Sequence, residues 1–262
     1  MLEVKDAWFG YDRTQTVLRG ITLDVPQDAI VGILGPNGSG KTTLLRLMAG
    51  TRQPQRGGVA FDGMPLATFS RAALARRMAV VPQETQLAFD YTAGDVAMMG
   101  RYAHLGAFEI EGPADMAAID RALESTGTRR LKDRLFATLS GGEKQRVIIA
   151  SALAQLEGDG VLLLDEPTAS LDLRYQIEIA DLLRDLHRRR GVSIVVSTHD
   201  LALAGALCDR LVLIRDGSVM ASGPTDDILT TENIRAVYGV EAVIVRPDVT
   251  ARVVIPIRRG QA

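Results

Sequence analysis

Short apolar runs and amphipathic stretches alternate along the chain. Ile30 to Leu34 (Ile-Val-Gly-Ile-Leu) and Val161 to Leu164 are continuous apolar runs, and Ser193 to Val196 (Ser-Ile-Val-Val) is apolar after its serine, as strands buried on both faces require. Between the last two, Ile179, Leu182, Leu183 and Leu186 recur at helical spacing and predict a helix over Tyr175 to Arg189. Thr42 to Ala49 predicts another, ending at Gly50, a good left-handed C-terminal cap. The opening segment predicts alternating strands with turns at Gly10 and Gly20, and Val59 to Phe61 a strand entering a tight turn at Asp62-Gly63. Ser70 to Arg77 reads as a short helix and Ala79 to Val81 as a strand. From Gln83 to Leu139 the pattern is mostly helical, with helix starts at Thr92-Ala93-Gly94-Asp95 and Pro113. Near the C-terminus come a hairpin turn at Asp216-Gly217, a helix near Thr231 to Tyr238 and two alternating strands. This alternation predicts an α/β fold with a largely parallel sheet. No repeat or flexible linker is visible, so residues 1–262 read as a single domain with a helical part, at about 84–155, inserted in it.

Composition narrows the classes. The chain has 262 residues, 47% hydrophobic and 24% charged, enough to bury a core and inconsistent with wholesale disorder. A formal net charge of -2 gives no support for nucleic-acid binding. The single cysteine, Cys208, excludes an intrachain disulfide and fits a reducing compartment. Met1 to Asp6 lacks the basic region and apolar run of a secretory signal. The longest apolar runs fall far short of the ~20 residues that span a bilayer. Any membrane role is therefore expected to run through a partner.

Two stretches carry nucleotide chemistry. Gly35-Pro36-Asn37-Gly38-Ser39-Gly40-Lys41-Thr42 matches G-x-x-x-x-G-K-[ST] and lies between a buried strand and a helix, the context this motif needs. Glycines let backbone N–H groups approach a triphosphate, and the helix points its positive end at it. Lys41 is placed to bridge the β- and γ-phosphates, and the Thr42 hydroxyl to ligate Mg²⁺. Asp165 and Glu166 follow the strand Val161 to Leu164, at the strand end where open α/β sheets bind ligands. Asp165 suits the second Mg²⁺ group, and Glu166 the base that orients and deprotonates the attacking water.

A second glycine loop, Leu139-Ser140-Gly141-Gly142-Glu143-Lys144-Gln145-Arg146, precedes a helical pattern and so makes another helix N-terminus rich in free N–H groups. One nucleotide does not need two such anion sites from one subunit. The second cradle points to the γ-phosphate held by another subunit.

With these residues the chain resembles, over essentially its whole length, the nucleotide-binding domain of ABC transporters. The resemblance implies a P-loop NTPase fold: a mixed-sheet, RecA-like core with an N-terminal antiparallel β subdomain and an inserted helical subdomain. It implies that Ser140, Gly141 and Gly142 belong to the signature motif that contacts the partner's ATP. Tyr11 matches the aromatic that stacks on adenine, and Gly35 to Thr43, including Thr43, the phosphate-binding segment. Gln83 matches the glutamine that contacts Mg²⁺ or the lytic water and senses the membrane partner. Ser170-Leu171-Asp172 matches the D-loop and His199 the switch histidine at the γ-phosphate. Each residue says little alone; their order along the chain carries the match. Glu143 stands where a glutamine is commoner, and Thr42 where a serine is.

Free-standing chains without membrane spans resemble the importers of this family. Tyr91 to Val96 and Gly100 to Gly106 are similar to importers of iron-siderophore, haem and cobalamin, as are Thr168 to Asp172 and Tyr238-Gly239-Val240. Manganese and zinc importers share a similar Val-x-Met-Gly-Arg-Tyr stretch and are the second reading. A soluble relative outside transport is a third, disfavoured by the short span from Lys41 to Ser140 and the lack of a second phosphate loop. What the resemblance implies is an ATP- and Mg²⁺-dependent homodimer on the cytoplasmic face of the inner membrane. Its partners would be permease subunits, whose short helix docks near Phe89 and Tyr91, and, indirectly, a periplasmic or lipoprotein substrate-binding protein.

Overall fold

The N-terminal alternation folds as an antiparallel pair, β1 (Leu2–Gly10) against β2 (Thr16–Val25). The computed structural model describes residues 2–12, 14–85, 87–106, 108–158, 160–245 and 253–259. Gly20, expected as a turn, lies inside β2. Between the pairs Ala7–Ile21 and Phe9–Leu18, β2 advances one residue more than β1, and Gly20 takes up the excess at φ 64°. That is the conformation of a glycine bulge, which bends a strand without ending it. β3 (Ile30–Leu34) is buried along its whole length, and α1 (Lys41–Met48) follows it across the phosphate loop. β4 (Arg56–Phe61) pairs with β1, and β5 (Met64–Pro65) with β4 through the expected Asp62-Gly63 turn, both residues at positive φ.

The chain divides by contact into two units, Met1–Thr68 with Ile194–Ala262, and Phe69–Ser193. The second begins with α2 (Arg71–Arg77), capped by Ser70, and β6 (Met78–Val81). α3 (Ala93–Met99) starts in a capping box between Thr92 and Asp95, and α4 (Pro113–Ser125) carries Pro113 in its first turn. Both pack on α5 (Gly141–Gln155). Ala93, Val96, Leu131, Phe136, Leu139 and Val147 close a local core there. β7 (Val161–Asp165) pairs in parallel with β6, setting Val81 beside Leu164. α6 (Leu173–Arg190) begins two residues earlier than its apolar spacing suggests, from Asp172. It turns Ile179, Ala180, Leu183 and Leu186 inward.

Back in the first unit, β8 (Ser193–Thr198) runs parallel to β3, pairing Leu34 with Thr198. α7 (Leu201–Leu207) and β9 (Arg210–Arg215) follow, and β9 flanks β3 on its other side, also in parallel. β10 (Ser218–Pro224) returns antiparallel through the Asp216-Gly217 turn. α8 (Thr225–Ile228), α9 (Thr231–Tyr238) and an antiparallel ribbon of β11 (Val240–Val245) and β12 (Val253–Arg259) complete it. The N-terminal antiparallel sheet, the parallel strands and the helical segment are all as expected. No helix among the described residues is long and apolar enough to cross a membrane.

Candidate nucleotide site

In the first unit the phosphate loop is strung between β3 and α1. Gly40 stands at the N-cap of α1 with φ 104°, and a Cβ there would meet Leu18 Cδ2 at 2.6 Å, so the position admits only glycine. Lys41 is buried and its Nζ donates to the carbonyls of Gly35 (2.9 Å) and Pro36 (3.3 Å). The ammonium thus spans the loop from inside. Ser39 Oγ is buried with no hydrogen-bond partner among the described residues. A buried hydroxyl left unmatched costs free energy unless a ligand satisfies it, and here it lies in a loop whose following helix favours an anion. Asn37 and Gly38 are exposed on the outer rim. Because Leu34 pairs with Thr198, the loop and His199 leave adjacent strands at the same end. His199 is exposed. The helix cap there is Asp200, whose Oδ1 accepts from the N–H groups of Ala202 and Leu203.

Tyr11 is tied to this loop. Its hydroxyl lies 3.2 Å from Thr43 Oγ1 and accepts from Arg46 Nη1 at 2.9 Å, while its ring meets Phe9 edge-on at 5.1 Å. Two residues of α1 therefore hold the phenol end, and the ring remains half exposed. Thr43 Oγ1 is engaged with Tyr11, which leaves Thr43 its backbone N–H to offer a phosphate.

The second unit holds the remaining candidate residues. The β6–β7 register brings Gln83, two residues past Val81, and Asp165-Glu166, just past Leu164, off the same edge of a parallel pair. Asp165 is buried and Glu166 half-buried. Glu166 adopts φ 45°, a left-handed conformation uncommon outside glycine. Gln83, Glu166, Ser170, Leu171, Gly141 and Gln145 line one open cavity of about 260 Å³. The base candidate, the D-loop and the second glycine loop thus share one space within a single unit.

Ser140 caps α5 reciprocally. Its Oγ accepts from the Glu143 N–H at 3.3 Å, and Glu143 Oε2 accepts from the Ser140 N–H at 3.0 Å. The Ser140 N–H, the cost of burial working against it, and the Ser140 hydroxyl leave the Glu143 carboxyl net below the usual range; Arg134 and Arg146 add to this. Beneath the loop, Gly142 packs against the Tyr175 ring, where a Cβ would come within 2.3 Å.

Residues 18–169 match the ABC transporter family model. The chain belongs to the ABC transporter family. It is 40% identical over 239 residues to the cobalamin import ATP-binding protein BtuD of Halobacterium salinarum, covering 91% of this chain and 59% of that one. It is 40% identical over 246 residues to the hemin import ATP-binding protein HmuV of Bordetella pertussis, covering 91% of this chain and 93% of the relative. The chain thus spans under two thirds of the first relative's length and nearly all of the second's. A structure of a metal-chelate type ABC transporter in an inward-facing conformation superposes with a TM-score of 0.85 at 28% identity, covering 98% and 96% of the two chains. The ATP-binding cassette MJ0796, solved as a dimer with ADP and Pi, superposes with a TM-score of 0.73 at 27% identity, covering 86% and 99%.

Within this ABC fold the expected residues fall into two groups. Tyr11, Gly35 to Thr43 and His199 are brought together in the first unit, and Gln83, Ser140 to Gly142, Asp165 and Glu166 in the second. The aromatic pair expected to line a docking groove divides. Phe89 is exposed, whereas Tyr91 meets it edge-on and packs on the core around Val96 and Phe136. Sequence reasoning missed Arg46, which pins Tyr11, and Tyr175, which backs Gly142. The cue for Arg46 was its place in the last turn of the loop's own helix. No sequence signal pairs Tyr175 with Gly142.

Proposed function

We propose that this chain is the ATP-hydrolysing subunit of an importer and works as a head-to-tail homodimer. The observation that carries the reading is that one chain holds two anion cradles, the Gly35–Thr42 loop in one unit and the capped Ser140–Gly142 loop in the other. A single triphosphate does not call for both, so the second serves the nucleotide of a second copy. The dimeric state of the MJ0796 cassette supports this arrangement. In the first unit Lys41 and the loop N–H groups bind the phosphates, the orphan Ser39 hydroxyl finds an acceptor, and Tyr11 stacks on the base. Thr42, and separately Asp165 and Gln83, offer oxygens of the kind that would hold Mg²⁺, which would supply charge neutralisation for the triphosphate. Glu166 takes the proton of the attacking water, and His199 donates to the γ-phosphate.

The relatives' names support cobalamin, haem or another metal chelate as cargo; in this reading it moves through permease subunits fed by a separate binding protein. The chain then acts at the cytoplasmic face of the inner membrane as a peripheral subunit, meeting its permease near the exposed Phe89. Glu166→Gln tests the core of the reading. This variant keeps ATP binding, loses most turnover, and accumulates as an ATP-dependent dimer in light scattering. Wild-type turnover, or a strict monomer at saturating ATP, contradicts it. For the cargo, uptake assays in cells lacking the subunit should show loss of haem, cobalamin or siderophore transport.

A further inference from the structure

The last turn of α5 is the centre of a polar knot. Helix ends leave their final carbonyls without partners inside the helix, and here side chains from elsewhere take them. Arg101, in the 3-10 turn Gly100–Ala103 that follows α3, donates from Nη1 to Ala154 O at 2.7 Å and from Nε to Asp115 Oδ1 at 2.9 Å. His104 Nε2 lies 2.8 Å from Gln155 O, and its Nδ1 3.0 Å from Glu157 Oε1. Arg76 Nε donates to Ala103 O at 2.9 Å, and the Glu157 N–H to Arg76 O at 2.7 Å. At the centre, Gln155 Nε2 donates to Ala75 O (2.8 Å) and Met78 O (3.1 Å), the backbone where α2 passes into β6.

Two functional segments lead away from this knot. β6 starts at Met78 and delivers Gln83. α5, whose 15 residues span about 22 Å at the usual rise, delivers Ser140–Gly142 at its other end. Gln83 and Gly141 then meet again as walls of the cavity that holds Glu166. A closed path therefore runs from Gln155 through β6 to Gln83, across the cavity to Gly141, and back along α5.

We propose that Gln155, its carbonyl held by His104 and its helix end by Arg101 at Ala154, is a positioning residue for hydrolysis: its amide fixes the strand carrying Gln83 and the helix carrying the Ser140 loop in one register. This rests on the ATPase reading above. The amide of Gln155 is engaged at Ala75 and Met78, on the strand that carries Gln83, so its loss is expected to act on the chemical step and not on ATP capture. The packed path transmits an error at one end to the other, and a displacement of ~1 Å at a catalytic group is enough to cost orders of magnitude in rate.

The test uses the purified full chain, with steady-state ATPase titrated against ATP and nucleotide affinity measured separately with a fluorescent ATP analogue. Gln155→Met keeps the length and removes both N–H donors. The expected result is a fall in kcat of roughly tenfold with KM and analogue affinity unchanged within about twofold. His104→Leu, which cannot donate to Gln155 O, should lower kcat roughly fivefold, and His104→Gln, which can, should restore most of it. If Gln155→Met is insoluble, the His104 pair decides. Wild-type kcat in Gln155→Met, a loss of affinity matching the loss of rate, or equal rates for His104→Leu and His104→Gln overturns the proposal. A wild-type chain that hydrolyses no ATP overturns the ATPase reading itself; an active wild type beside unaffected variants overturns only this one.

Discussion

The Tyr175 ring occupies the space a side chain on Gly142 would need: a Cβ there would fall 2.3 Å from Cδ1. The Ser140 loop and the start of α6 therefore fit each other by backbone against ring. Gly142→Ala must push the loop or the ring aside, and overpacking of this kind typically costs about 1–3 kcal/mol. Denaturant unfolding should show that loss, with ATPase turnover falling in parallel. Adding Tyr175→Ala should return part of both, and a double-mutant cycle reads the coupling.

Lys41 bridges the carbonyls of Gly35 and Pro36 from within the loop. Lys41→Ala removes that brace and the charge offered to the phosphates. Calorimetry should find ATP binding weakened by roughly tenfold or more, in line with the ~1.5–3 kcal/mol of a hydrogen bond to a charged group. Unchanged affinity would contradict the phosphate-loop assignment.

Tyr11 separates ring from hydroxyl. Tyr11→Phe keeps the stacking face and loses the bonds to Thr43 and Arg46, whereas Tyr11→Ala loses both. Base–aromatic stacking is worth ~1–3 kcal/mol, so ATP affinity should fall in the order wild type, Phe, Ala. Equal affinity for wild type and Tyr11→Ala would remove Tyr11 from the site.

Glu143 gives the Ser140 loop a pH signature. Its carboxyl is held below the usual glutamate range by the Ser140 N–H first, so the unfolded chain takes up this proton at higher pH than the folded one. The stabilisation is therefore complete above the ordinary glutamate range and is lost as pH falls through the depressed folded value. Glu143→Gln keeps an oxygen for the Ser140 N–H and cannot titrate. The acid side of its stability curve, followed by thermal melting, should be flatter than wild type.

The motifs that carry backbone geometry were legible in the sequence. The phosphate loop needs glycine where φ is positive, and the helix start at Thr92 needs an acid at Asp95, so residue type and spacing give both away. Gly20 was misread because glycine marks a bulge as readily as a turn; only the pairing of Ala7 with Ile21 distinguishes them. The exposed polar residues Gln83 and His199 could be placed only by their order relative to other motifs. Long-range pairs such as Gly142 with Tyr175, or Gln155 with Ala75 and Met78, leave no local pattern because the fold alone brings them together.

If the two cradles serve nucleotides in different copies, as proposed, a genetic consequence follows. A chain disabled only at Lys41 and a chain disabled only at Ser140 would each be dead alone. Mixed, they should regain activity. In a head-to-tail pair built from one of each, one interface inherits both defects and the other inherits neither, so with random pairing about half of the dimers recover a single working centre.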